Sequence, residues 1–170
     1  MSQINVNTIA NASGTSSMTV DANGVVTRNT LPAWMIQLTA DQVFTVQDTW
    51  STITNMSHTA TNSFIQGGIT HSSGVITVPV AGVYQVSFAT RVDEVSTGYL
   101  WTMISINDSN DTTSQYSHLD NEPASAYTTP VCSGIYNLSA NDTLRCKIYT
   151  SADTNYHPAQ QTFFSGFLVG

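Results

Sequence analysis

Charge is what this chain has least of. Asp, Glu, Lys and Arg make up 9% of its 170 residues, against roughly 25% in ordinary soluble domains. Only four residues are cationic: Arg28, Arg91, Arg145 and Lys147. A surface that grips phosphate backbones aligns several cations on one face. Nucleic acid is therefore excluded as a partner, and the net charge of −7 argues equally against anionic membrane surfaces. No run approaches the roughly 18 apolar residues of a spanning helix. The first residues, MSQINVNTIANASG, have neither a basic start nor an apolar stretch and do not read as an export signal. The expectation is a chain that starts at its native Met1, is made in a cytosol and is not exported by the general secretory route.

Cysteine is nearly absent too. Cys132 and Cys146 stand alone, and two lone thiols offer no metal-ligand spacing. They read as buried free thiols, with a bridge between them left open. Catalytic signatures are missing as well: there is no Gly-x-Ser-x-Gly elbow, no His-Glu-x-x-His pair and no phosphate loop. The four histidines, His58, His71, His118 and His157, fall on expected loops or strand ends. The chain is not expected to be an enzyme, and no cofactor is expected. The stretch NDSND (107–111) brings oxygen ligands close together, which makes Asp108 and Asp111 weak calcium candidates. It lacks the Gly and distal Glu of an EF-hand loop, and a solvated run of Asx turns is the preferred reading.

What the chain does have is alternation. No segment of ten or more residues holds a helical period, so the chain reads as all-β. Residues 1–31 read as an N-terminal arm: INVNTI alternates briefly, and SMTVDANGVVTR is a hairpin turning at Asp21 to Gly24. Pro32 marks the boundary of a second unit, 32–170. WMIQL, VFTV and WSTI open that unit, and Gly67-Gly68 and Ser73-Gly74 are natural corners. VYQVSFATR puts Tyr84, Val86 and Phe88 on one face. In YLWTMISI both faces are partly apolar, as expected where one meets the core and the other a neighbour. Many strands with turns every 8–12 residues argue for a sandwich or barrel.

Three motifs in this order resemble the C1q/TNF-like jelly roll. They are Val78-Pro79-Val80-Ala81-Gly82-Val83-Tyr84, then Leu138-Ser139-Ala140-Asn141-Asp142, then Phe164-Ser165-Gly166-Phe167-Leu168. Pro32-Ala33-Trp34 resembles the opening of such domains. Asn141 stands where the family has Gly, a mild swap because Asn tolerates positive φ. Val86 replaces the favoured Phe, and no collagen-like stalk precedes the unit, which argues against complement-like or hormone-like roles and leaves the expected fold intact. The resemblance implies a sandwich of about ten antiparallel strands that assembles as a homotrimer. The N-terminal arm is similar to segments that precede such domains in bacteriophage structural proteins.

These readings converge on a homotrimer on a virion surface. Tyr84, Tyr136 and Phe163 are candidates for the threefold interface. Ile4, Val6 and Ile9 are candidates for docking the arm on a major capsid or tail protein. Tyr99, Trp101 and Tyr116 are candidates for recognition, while Trp34 and Trp50 read as core. A capsid decoration protein is the leading expectation. The alternative is the receptor-binding tip of a short tail fibre that recognises a host surface glycan, and a free lectin-like protein is a further class.

Overall fold

The computed structural model describes residues 6–10, 12–14, 16–27, 31–92, 98–110, 116–121, 128–151, 155–157 and 160–170. Among these residues there is no helix. The strands in chain order begin with β1 (Thr8–Ala10), β2 (Ser16–Val20), β3 (Val26–Thr27), β4 (Ala33–Leu38), β5 (Gln42–Phe44) and β6 (Ser51–Thr52). They continue with β7 (Met56–Ser57), β8 (Phe64–Gln66), β9 (Thr70–Ser72), β10 (Val75–Thr77), β11 (Gly82–Thr90) and β12 (Gly98–Ile106). The last are β13 (Tyr116–Asn121), β14 (Val131–Leu138), β15 (Thr143–Thr150), β16 (Asn155–His157) and β17 (Thr162–Leu168).

The arm forms its own antiparallel sheet, β1-β2-β3. Its hairpin closes as the residue types require: the Asp21 carboxylate accepts the backbone N–H groups of Asn23 and Val25, and Gly24 takes a φ of 80°.

Two six-stranded antiparallel sheets make the sandwich. One runs β14-β11-β17-β4-β7 with β8 also on β4; the other runs β13-β12-β15-β10-β9 with β6 also on β15. The long strands β11, β12, β14, β15 and β17 alternate between the sheets. Strand alternation supplies that core. Trp34, Ile36, Tyr84, Val86, Phe88 and Phe164 face inward from the first sheet, against Ile76, Leu100, Ile104, Leu144 and Ile148 from the second. The buried Tyr84 hydroxyl is satisfied by donating to the Val80 carbonyl at 2.9 Å.

Corners fall where small or amide side chains permit them. Gly67, Gly68, Ser73 and Gly74 all have positive φ. Asn141 has a φ of 71°, so it takes the left-handed turn position expected of it. The Asp142 carboxylate accepts the Ser139 N–H at 2.8 Å and closes that turn.

Candidate assembly face and surface clusters

The outer face of the first sheet carries no charged side chain across its paired rows. Gln85 of β11 lies opposite Ile135 and Phe167; Ser87 lies opposite Ser133 and Ser165; Ala89 lies opposite Val131 and Phe163. The rows continue through Ala33, Met35 and Gln37 of β4 to Phe64 of β8. Ile135 is 69% exposed, Val131 52%, Phe167 51% and Phe64 45%. A sheet face this apolar is normally packed against something. A recess of about 270 Å³ lies within it, between Met35, Phe64, Gln85 and Phe167. Gly166 and Trp34 also line it.

Two of the three interface candidates do not reach this face. Tyr84 is fully buried between the sheets, in tilted contact with Trp34 at 6.3 Å. Tyr136 has the same inward parity on β14 as Cys132 and Leu138 and packs against the core. Burial and then the neighbouring Cys132 push its phenol up to about 12. Alternation decides both cases, since each stands an even number of residues from a buried neighbour. Phe163 has the outward parity. The residues that dominate the face, Ile135, Val131 and Phe167, are small in sequence signal. They become a patch only through cross-strand register.

Asp108 is already occupied. Its carboxylate pairs with Lys147 at 2.7 Å and Arg145 at 2.9 Å. Asn107 and Asp108 both have positive φ, which folds the loop back over the second sheet. The Lys147 ammonium, on a side chain only 5% exposed, also donates to the Asn110 side chain and the Asp108 carbonyl. That hydrogen bond from Lys147 is the main reason the Asp108 carboxyl is held below its ordinary range. Two cationic donors therefore already hold the carboxylate that calcium would need. Asp111 lies outside the described residues.

Trp101 stacks on Tyr149 with ring centroids 5.0 Å apart, and Trp50 leans on both. All three are half-buried on the outer side of the second sheet, so Trp50 is no core residue. It stands just before β6 and packs on Tyr149, whose hydroxyl donates to Asp48 at 3.3 Å. Tyr99 and Tyr116 sit on β12 and β13, but their side chains are outside the described set. In the arm, Val6 and Ile9 are about half exposed, and Ile4 lies outside the described residues. Cys132 and Cys146 are both buried free thiols. Burial, and then Cys132, raises the Cys146 thiol well above its ordinary value. The sequence reading did not bring together His58 and His71, whose rings meet in the fold.

No family model matches the chain, and no curated protein matches it. A match among solved structures is the crystal structure of murine APRIL at pH 8.0, with a TM-score of 0.57 and 13% identity. It covers 82% of this chain and 99% of that one. With the sheet order above, this defines the fold as a C1q/TNF-like jelly-roll sandwich preceded by a short β arm.

Proposed function

We propose that the chain is a non-enzymatic homotrimeric structural protein of a bacteriophage virion surface, made in the host cytoplasm. Its uncharged sheet face packs around a threefold axis, and its arm of residues 1–31 docks on a capsid or tail protein. The observation that carries this reading is the outer face of β14, β11, β17 and β4. Its rows hold Ile135, Val131 and Phe167 half or more exposed and no charge at all. Burying such a face adds apolar area at little desolvation cost, which an obligate interface requires. The decoration role is tested by sedimenting the chain with assembled capsids: binding lost on deleting residues 1–31 supports it, and binding that survives the deletion contradicts it.

The aromatic cluster of Trp50, Trp101 and Tyr149 beside Asp48 favours a second reading, a receptor-binding tip for a host surface glycan. Rings next to a carboxylate are suited to sugar faces and hydroxyls. Glycan-array binding abolished by Trp101→Ala would support that reading over decoration.

A further inference from the structure

His58 follows β7, at the edge of the first sheet, and His71 lies in β9, at the edge of the second. Their Nδ1 atoms are 3.1 Å apart and the rings meet edge-on at 5.3 Å. The contact therefore ties the two sheets together at the open edge of the sandwich.

The protons can be assigned from the neighbouring bond. The Gly74 N–H donates to His71 Nε2 at 3.2 Å, so that nitrogen is bare. The His71 proton is then on Nδ1 and is donated to His58 Nδ1. The His58 proton is on Nε2, away from the contact. Both rings are neutral in this arrangement. Gly74 itself is held against the Ile53 carbonyl: a Cβ there would come within 2.3 Å of it. The donor to His71 is fixed in place.

We infer that the His58–His71 pair is an acid-released latch between the two sheets. One added proton breaks one of the two bonds, whichever ring takes it. On His58 Nδ1 it sets two N–H groups face to face. On His71 Nε2 it removes the acceptor of the Gly74 N–H. Among the described residues no carboxylate contacts either ring to hold the charged form. Between Asp48 and Arg91 the only titratable side chains are these two histidines and Tyr84. The strands flanking the pair present Gln37 and Leu38 to β7, and Thr143 and Leu144 to β10. Burial, and then His58, holds the His71 imidazole below its ordinary value of 6.5. Because the folded value is the depressed one, the latch is fully closed above 6.5 and is lost as pH falls below it.

Two bare Nδ1 atoms at this separation would also suit a divalent transition metal. The Gly74 bond opposes that, because it places the His71 proton on the nitrogen the metal would need.

The test uses the full chain labelled with nitrogen-15 in metal-free buffer. At pH 7.5 the imidazole spectra are expected to show His71 protonated at Nδ1 and His58 at Nε2. Between pH 7 and pH 5 the Gly74 amide is expected to lose roughly tenfold protection from hydrogen exchange as its bond to His71 is lost. His71→Gln removes that pH dependence, and His118→Gln/His157→Gln keeps it. The opposite His71 tautomer, an unchanged Gly74 protection, or stoichiometric Zn²⁺ uptake on both Nδ1 atoms would overturn the latch. The tautomer measurement needs no variant and decides the matter even if His71→Gln does not fold.

Discussion

Gly166 of β17 lies against the indole of Trp34 of β4, its paired residue across the strands. A Cβ at Gly166 would stand 2.4 Å from two carbons of that ring and 2.9 Å from the Gln85 carbonyl oxygen. The ring cannot move aside, because Trp34 is 1% exposed and packed on Phe164 at 5.7 Å. Gly166→Ala is therefore an overpacking change and is expected to cost about 1–3 kcal/mol. Urea unfolding of the variant against the parent chain measures it.

Tyr84 acts on stability, not on association. Tyr84→Phe removes only the hydrogen bond to Val80 and keeps the ring. The expected loss is about 1 kcal/mol. Native mass should be unchanged, which distinguishes a core tyrosine from one at an interface.

Asp108 anchors the folded-back loop through Lys147. Asp108→Asn leaves a nearly buried ammonium with neutral partners only. The expected loss at pH 7 is about 1–2 kcal/mol, below the usual range for a buried pair because the carboxylate itself is solvated. In the parent chain this contribution is present above the ordinary carboxyl value of 3.8 and is lost as pH falls through the lower folded value. Unfolding curves between pH 2 and pH 6 should converge for the two chains at the acid end. Added calcium should leave the parent's melting temperature unchanged.

Cys132 and Cys146 should be silent in the folded chain. Both are buried, and the Cys146 thiol is raised further by burial. A thiol reagent at pH 8 is expected to label neither until denaturant is added.

Much of the sandwich was legible because alternation is a local signal. VYQVSFATR showed its inward series, Tyr84, Val86 and Phe88, and Asn141 showed its left-handed turn. The assembly face was not legible. Ile135 and Phe167 are brought to opposite sides of Gln85 by long-range register, which no single segment encodes. The same parity that marked Tyr84 as inward removes it from the interface. Trp50 looked like core because it is large and apolar; its place depends on pairing beside β15, again a tertiary fact. The histidine latch was missed for the same reason. His58 and His71 are on opposite sheets and meet only where the two edges close.

The uncharged sheet face is proposed as a threefold interface. Light scattering of the purified chain at physiological salt tests it most directly, run beside Ile135→Glu, which puts a charge at the most exposed point of the face. A threefold interface gives three times the chain mass for the parent and a folded single chain for the variant. A parent that stays monomeric across concentrations, or a variant that still forms trimers, would contradict it.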